Sequence, residues 1–484
     1  MSIMGYFRQI SAIPHGSFHT EAISSFLEQF ARDNQLRCVR DEAGNVIIYK
    51  PASAGYEDHA PLILQGHVDM VLEKTAGCTT DLEKEAITLI EEGDWLRADG
   101  TTLGADDGVA VAMMMEALTD DTLRHPPLEC VFTVNEEVGM LGAEALDGSL
   151  LSGRRLLNLD SEDEGVLTAG CAGGAEEAFR VPFKCEKEDG YLVEILVDGL
   201  LGGHSGDAIN QGRANADFIM ARLLYRLMKK YEFNLVSIEG GTKDNAIPRE
   251  CRACILFPEM AEQSTIEKTV QKIDDQIVAE YAKTDPNMSI TWDWTGTDNL
   301  QKDVRCMTEK ATRKALRLLM ALPNGVIEYS PDFQGLPQTS LSMGILKADR
   351  PARKDEEAVM TGTFLVRSSI NSQKKYIVNR LEAIVKEFGG ELEERGVYPA
   401  WEFRRDSAFR DMIVSVFEAK YGRKPEVVMI HGGLECGLLS GKIPDLDCVS
   451  IGPETQDIHT PAERLNIPSF ERTWELVKGI MEQA

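Results

Sequence analysis

Three short apolar runs that end in polar side chains constrain the fold of this chain more than any other feature. The runs are APLILQGH at 60–67, LECVFTVNEE at 128–137 and RRLLNLDSE at 154–162. Each is rich in Leu, Val or Ile, and a helical pattern, DDGVAVAMMMEAL at 106–118, lies between the first two. Strand-like runs that alternate with helical patterns are typical of α/β architecture. We therefore predict an α/β fold for this part of the chain.

The polar residues at the ends of these runs indicate where a site would lie. His67, Glu136, Glu137 and Asp160 follow the C-terminal ends of the predicted strands, and Asp106 opens the predicted helix. Open α/β sheets bind ligands at that edge. Imidazole and carboxylate groups together suit zinc, manganese or cobalt, and no thiolate is involved. The pattern predicts a metal site, although helix caps and surface charge are the alternative interpretation.

Two close pairs of polar residues predict a division of roles. His67 would bind a metal through one ring nitrogen while Asp69 holds the other nitrogen and fixes the tautomer. Neighbouring side chains of an extended segment point in different directions, so one of Glu136 and Glu137 can bind metal while the other moves a proton. The pattern leaves open which glutamate does which.

The charge of the chain excludes several classes of partner. It carries 51 Lys and Arg against 79 Asp and Glu, a net charge of −28. Such a surface repels phosphate backbones and anionic membranes, so we expect neither a nucleic-acid nor a membrane partner. No basic segment leads into an apolar one near the start, which favours the cytoplasm. The ten scattered cysteines indicate free thiols and not a zinc ribbon.

The pattern along the chain changes twice. From about residue 186 a helix, strand, strand, helix order occurs, and a similar order recurs from about 309 to 388. After about 400 the α/β alternation returns. We expect residues 1–185 and 401–484 to form one α/β domain, and residues 186–400 to form an inserted domain of two similar halves.

Seven motifs resemble one known family in the same order along nearly the whole chain. They are GHVDMV, GTTLGADDGVAVA, NEEVGMLGA, NLDSEDEG, GGHSGD, HGGLECG and DIHTPAE. These closely resemble the aminoacyl-histidine dipeptidases, within the superfamily of co-catalytic zinc dipeptidases, aminoacylases and glutamate carboxypeptidases. The resemblance implies a mixed-sheet two-zinc catalytic domain interrupted by an α+β lid, and it implies a homodimer formed through that lid.

The resemblance also implies roles for the polar residues. It assigns one metal ion to His67, Asp106 and Asp160, and a second to Asp106, Glu137 and His459. Glu136 becomes the general base, and Asp69 the partner of His67. A cis peptide is expected between Asp106 and Asp107.

In the lid, the resemblance makes His204 the histidine that helps polarise the scissile carbonyl and Asn245 its supporting amide. Arg367 would clamp the carboxylate of the substrate, which suits a bidentate guanidinium. Whether His204 acts in its own subunit or in a partner's is open. Glu435, beside a glycine turn, is a candidate partner for the substrate ammonium, and His431 could line the pocket or simply pack.

Together these features predict a metal-dependent dipeptidase for unblocked dipeptides, of the Xaa-His type including β-alanyl-His. Two divalent ions are expected per subunit, Zn²⁺ first, with Mn²⁺ and Co²⁺ left open. One alternative is an N-acyl amino acid amidohydrolase or a di- and tripeptidase of the same superfamily. Another is a non-catalytic binding protein.

Overall fold

The chain forms two compact units, each described by itself. The computed structural model describes residues 1–259, 263–297, 299–349 and 357–484. One unit comprises Met1–Cys171 and Trp401–Ala484, and the other comprises Ala172–Ala400. The sequence pattern placed the first division near 185, whereas residues 173–183 form a strand that pairs inside the second unit.

The first part of the chain supplies most of the first unit. Its helices are α1 (Ile3–Ile10), α2 (Glu21–Asp33), α3 (Ala105–Thr119) and α4 (Leu141–Ala145). Its strands are β1 (Arg37–Arg40), β2 (Val46–Lys50), β3 (Leu62–His67), β4 (Leu89–Glu92), β5 (Trp95–Ala98), β6 (Leu128–Thr133), β7 (Arg155–Asn158) and β8 (Val166–Cys171).

The second unit follows. Its helices are α5 (Ala216–Met228), α6 (Gln263–Tyr281), α7 (Glu309–Ala321) and α8 (Asn371–Glu387). Its strands are β9 (Gly173–Phe183), β10 (Cys185–Asp198), β11 (Gly203–His204), β12 (Asn234–Gly240), β13 (Ala246–Ile247), β14 (Cys251–Phe257), β15 (Ser289–Asp293), β16 (Gln301–Met307), β17 (Gly325–Tyr329), β18 (Pro337–Ala348), β19 (Ala358–Ser368) and β20 (Glu391–Tyr398).

The last part of the chain returns to the first unit. Its helices are α9 (Ala408–Tyr421), α10 (Glu435–Lys442) and α11 (Ile467–Gln483). Its strands are β21 (Glu426–Ile430), β22 (Asp447–Ser450), β23 (Thr455–Gln456) and β24 (Arg464–Asn466).

A mixed sheet forms the centre of the first unit, in the order β1-β2-β6-β3-β7-β22-β8-β21. Strand β3 is parallel to both β6 and β7, while β1, β2 and β6 pair antiparallel. The predicted mixed-sheet α/β class is confirmed. Because β3, β6 and β7 run in one direction, their carboxyl ends meet at one edge of the sheet.

Helix α3 packs on this sheet with almost no solvent-facing side. All of its residues except Asp106, Glu116 and Thr119 are buried, which is typical of a helix that is apolar on nearly every side. A Cβ at Gly66 of β3 would lie 2.4 Å from the Cβ of Ala110, so glycine permits this close approach. The helix start is thereby held beside the end of β3.

The second unit is built on an antiparallel sheet in the order β15-β10-β14-β12-β18-β19-β9-β20. The predicted helix, strand, strand, helix order occurs twice, with β12 and β14 between α5 and α6, and β18 and β19 between α7 and α8. Its main apolar core extends from Phe179 to Val385 and lies entirely inside the unit. No described helix is long and apolar enough to cross a membrane.

Candidate active site

The ends of three neighbouring parallel strands bring the predicted site residues together in the first unit. His67 is the last residue of β3, Glu136 and Glu137 lie on the turn after β6, and Asp160 lies just beyond β7. Asp106 is at the start of α3, where its backbone is non-helical and its peptide bond to the next residue is cis, as predicted.

A first group of ligand atoms surrounds the ring of His67. Its Nε2 lies 3.0 Å from Oδ1 of Asp106 and 3.7 Å from Oδ1 of Asp160. The ligand atoms of these three residues all lie within 4.8 Å of one another. The imidazole of His67 is buried, so these groups face each other with little water around them.

A second group surrounds His459. Its Nε2 lies 3.0 Å from Oδ2 of Asp106 and 2.9 Å from Oε2 of Glu137. Asp106 therefore offers Oδ1 to the first group and Oδ2 to the second, which is the geometry that a bridging carboxylate requires. His67, Glu136 and Glu137 form a third set with ligand atoms within 4.8 Å.

The donor set fits divalent cations. It contains imidazole nitrogens and carboxylate oxygens, which zinc, manganese and cobalt accept in proteins. Burial raises the pKa of Asp160 to about 6 and raises that of Glu137 above its ordinary value. Hydrogen bonds to Asp106 and then Glu137 raise the pKa of His459 to about 10. Crowded, buried carboxylates of this kind are stabilised as anions by bound positive charge.

Glu136 belongs to the third set and not to the two groups that share Asp106. Burial is the largest influence on its carboxyl group and, with the nearby Asp160, Glu435 and Glu137, raises its pKa well above the ordinary value despite the opposing effect of His67. A carboxylate with a raised pKa beside a cluster of ligands is suited to accept and return a proton.

Asp69 orients both His67 and the turn after β6, but it uses different atoms for each. Nδ1 of His67 lies 2.9 Å from the carbonyl oxygen of Asp69 and 3.6 Å from its carboxylate. The carboxylate instead accepts hydrogen bonds from the N–H of Glu136 at 2.9 Å, the N–H of Glu137 at 3.4 Å and the hydroxyl of Ser17 at 2.8 Å. The backbone carbonyl of Asp69 thus faces the ring, while its carboxylate faces the turn after β6.

Glu435 lies at the start of α10 and is fully buried. Its Oε2 accepts hydrogen bonds from Nε2 of Gln65 at 2.5 Å and from the hydroxyl of Thr133 at 2.6 Å. Burial raises its pKa to about 7. A contact with a substrate ammonium would require this arrangement to open, so the role suggested for Glu435 stays a prediction. The nearby His431 is also buried.

His204, Asn245 and Arg367, the predicted substrate-binding residues of the second unit, lie close to one another. Nη2 of Arg367 lies 3.4 Å from Nε2 of His204, and its Nη1 donates to the hydroxyl of Tyr398 at 3.2 Å. The carbonyl of Asn245 accepts a hydrogen bond from the N–H of Ser205 at 2.8 Å. Strand pairing between β11 and β13 holds these segments side by side.

Two contacts near the ligands were not foreseen from the sequence. The hydroxyl of Ser17 reaches Asp69, and the carboxylate of Glu463 accepts backbone N–H groups from the segment that leads into Asp106. The only sequence signal for Glu463 is its place four residues after His459 in the motif DIHTPAE. Its partners lie about 360 residues away in the chain.

Comparisons with known proteins agree with this geometry. Residues 63–483 match the family described as Peptidase family M20/M25/M40. The chain is 34% identical over 480 residues to the cytosol non-specific dipeptidase of Escherichia coli, covering 99% of this chain and 96% of that protein. It is 32% identical to the aminoacylhistidine dipeptidase of Vibrio alginolyticus, whose crystal structure matches with a TM-score of 0.89 over 99% of this chain and 96% of that one.

A more distant structure shares the fold alone. The aminopeptidase PepT of Bacillus cereus is 18% identical and matches with a TM-score of 0.55 over 99% of this chain and 97% of that one. The family resemblance predicted from the motifs is confirmed. By its sequence, its fold and its cluster of histidine and carboxylate side chains, the chain belongs to peptidase family M20/M25/M40.

Proposed function

We propose that this protein is a metal-dependent dipeptidase that hydrolyses unblocked dipeptides. The observation that carries the proposal is Asp106, whose two carboxylate oxygens face two separate groups of potential ligands. Two full-length relatives support it, one named a cytosol non-specific dipeptidase and the other an aminoacylhistidine dipeptidase. Preference for Xaa-His dipeptides, including β-alanyl-His, is part of the proposal.

Five residues would hold two divalent ions per subunit, Zn²⁺ being the first candidate and Mn²⁺ or Co²⁺ the others. These ligands are His67, Asp106, Glu137, Asp160 and His459. Bound there, such ions supply Lewis acidity for a carbonyl and lower the pKa of water.

Glu136 acts as the general base and then as the general acid. It removes a proton from the water that attacks the scissile carbonyl, and it returns that proton to the nitrogen of the leaving amine. Its raised pKa supports this role, because it makes the carboxylate a stronger base. Asp69 supports it by holding the N–H of Glu136 at 2.9 Å.

Residues of the second unit would recognise the terminal carboxylate and the scissile carbonyl of the substrate. Arg367 would pair with the terminal carboxylate, and His204 with Asn245 would polarise the scissile carbonyl. The buried guanidinium of Arg367, beside His204 and Tyr398, supports a fixed anion-binding role. We include a homodimer formed through this unit and a cytoplasmic location in the proposal.

A substrate panel on metal-stripped enzyme tests the proposal. The panel contains Gly-His, β-alanyl-His, Leu-Leu, a tripeptide and an N-acetyl amino acid, each assayed before and after addition of zinc or manganese. We expect cleavage of the free dipeptides alone, and only after metal is added. Main cleavage of the acetylated compound would instead indicate an amidohydrolase, and no cleavage with any metal would indicate a binding protein.

A further inference from the structure

The carboxylate of Glu463 is bound by four consecutive backbone N–H groups. Oε2 accepts from Leu103 at 2.7 Å and from Gly104 at 3.0 Å, and Oε1 accepts from Ala105 at 2.8 Å and from Asp106 at 3.4 Å. The side chain is only 2% exposed. A buried carboxylate that makes this many hydrogen bonds holds its partners in one arrangement.

The segment that Glu463 binds cannot fix itself by local contacts. Gly104, the residue before α3, has a left-handed φ of 71° and has no side chain to cap the helix. A capping residue at this position would be strained by the left-handed φ, and its Cβ would lie 2.8 Å from the sulfur of Met70. The first N–H groups of a helix need an acceptor, and Glu463 supplies it from a distant part of the chain.

The turn that carries Glu463 also carries His459. The hydroxyl of Thr460 donates to the carbonyl of Asp457 at 2.7 Å, and the N–H of Glu463 donates to the carbonyl of Thr460 at 3.1 Å. One short turn therefore contacts Asp106 twice. The N–H of Asp106 donates to Glu463, and Oδ2 of Asp106 lies 3.0 Å from Nε2 of His459.

From this geometry we infer that Glu463 is a positioning residue that fixes Asp106 and His459 relative to each other. It thereby sets the affinity of the group formed by Asp106, Glu137 and His459 for its metal ion. The inference rests on the two-metal site of the proposed function, and it adds a residue that contacts neither the metal nor the substrate.

Zinc affinity of the variant Glu463→Gln, measured by competition with a chromogenic chelator, tests this inference. Glutamine keeps the size of the side chain, but its NH₂ group cannot accept a hydrogen bond. The backbone N–H groups that face it would therefore lose their acceptor. Loss of a residue that orients ligands costs roughly ten- to a hundredfold in metal affinity. We expect one of the two zinc ions to bind at least tenfold less tightly, with a changed absorption spectrum of the Co²⁺-loaded protein.

Glu129→Gln is the matched control. Glu129 is also a buried carboxylate of the first unit that accepts backbone N–H groups, from Ser152 at 3.0 Å and Gly153 at 3.0 Å. Its carboxylate binds Ser152 and Gly153, which are not proposed metal ligands, so we expect this variant to lose stability and to keep both zinc affinities.

The outcomes separate this inference from the proposed function. Wild-type protein that binds fewer than two ions contradicts the two-metal site itself. Wild-type protein that binds two ions, with Glu463→Gln binding both within twofold of the wild-type affinity, overturns the positioning role alone. Equal losses in Glu463→Gln and Glu129→Gln also overturn it.

The variant Glu463→Asp keeps the charge, but its side chain is too short to reach the same N–H groups, so it should reproduce the loss of zinc affinity. Failure of both Glu463 variants to fold would overturn the positioning role and make the residue a folding determinant.

Discussion

Two carboxylates, Asp69 and Glu463, hold the backbone of the segments that carry candidate ligands. Asp69 binds the N–H groups of Glu136 and Glu137, and Glu463 binds the N–H of Asp106. The sequence does point to the candidate ligands, because their positions at strand ends leave a pattern. The supporting contacts could not be predicted. Almost any residue supplies a backbone N–H, so the positions that donate to Asp69 and Glu463 carry no signal in the sequence.

Replacement of Glu136 by glutamine should separate metal binding from turnover. The amide cannot accept the proton of water, so we expect turnover to fall by about two to four orders of magnitude. Both metal ions should remain, because no ligand is lost. Elemental analysis and dipeptide hydrolysis measure the two properties. Near-normal activity of Glu136→Gln would remove this residue from the role of base.

Asp217 should make stability depend on pH. It is fully buried in α5, and burial raises the pKa of its carboxyl to about 8. Between about pH 4 and pH 8 the folded state holds a proton that the unfolded chain has lost, so the free energy of unfolding falls as pH rises, by about 1.4 kcal/mol per pH unit. The variant Asp217→Asn lacks this dependence.

The thermal midpoints of wild type and Asp217→Asn should therefore differ increasingly in favour of the variant from about pH 5.5 to about pH 8. Asp58→Asn, at an exposed position, serves as the control and should show a constant difference from wild type. A constant difference for Asp217→Asn would mean that its carboxyl is already ionised in the folded protein.

The strands β3, β6 and β7 and the helix α3 were predicted from local patterns, and the structure places them close to the predicted bounds. Strand β6 ends at Thr133, earlier than the predicted run, because the segment from Asn135 turns to present Glu136 and Glu137. The order of the sheet could not be predicted, since β22, from the last part of the chain, lies between β7 and β8. Pairing between strands so distant in sequence leaves no local pattern.

The turn after β6 is held by close backbone packing at Gly142. Its N–H donates to the carbonyl of Val134 at 2.9 Å, and its carbonyl accepts from Nδ2 of Asn45 at 2.9 Å. A Cβ at Gly142 would lie 2.2 Å from the carbonyl oxygen of Val134. We expect Gly142→Ala to cost about 1–3 kcal/mol or more of stability and to lower kcat, because the turn that carries Glu136 must move.

Thermal unfolding and dipeptide hydrolysis measure both effects. Gly55→Ala is the control, since a Cβ there meets no atom within 4 Å and only the left-handed φ of 88° is strained. It should lose about 1–2 kcal/mol and keep its kcat. Wild-type stability and kcat in Gly142→Ala would show that the turn tolerates displacement.

The two units differ in how the chain builds them. The second unit is one continuous segment with its own core and sheet, whereas the first requires strands from both parts of the chain. The change of sequence pattern near 186 and 400 favours an inserted domain, and the first unit ends before 186 because β9 follows β8 after a single residue. Part of the net charge of −28 lies in the candidate site, where buried carboxylates cluster.

A fragment of residues 172–400 should fold alone. Its core and its strand pairings lie within those residues, so we expect a cooperative thermal transition and native-like circular dichroism. A fragment of residues 1–171 is the comparison, and it should not fold, because it lacks β21 and β22 of its sheet. Absence of a cooperative transition in the 172–400 fragment would contradict the independence of this unit.

Titration of metal-stripped wild-type protein with zinc, with hydrolysis of Gly-His followed in the same samples, tests the proposed two-metal dipeptidase most directly. We predict no turnover without metal, saturation at two ions per chain, and hydrolysis that rises as the site formed by His67, Asp106, Glu137, Asp160 and His459 fills. Full turnover by the stripped protein, or saturation below two ions with undiminished hydrolysis, would contradict the two-metal mechanism.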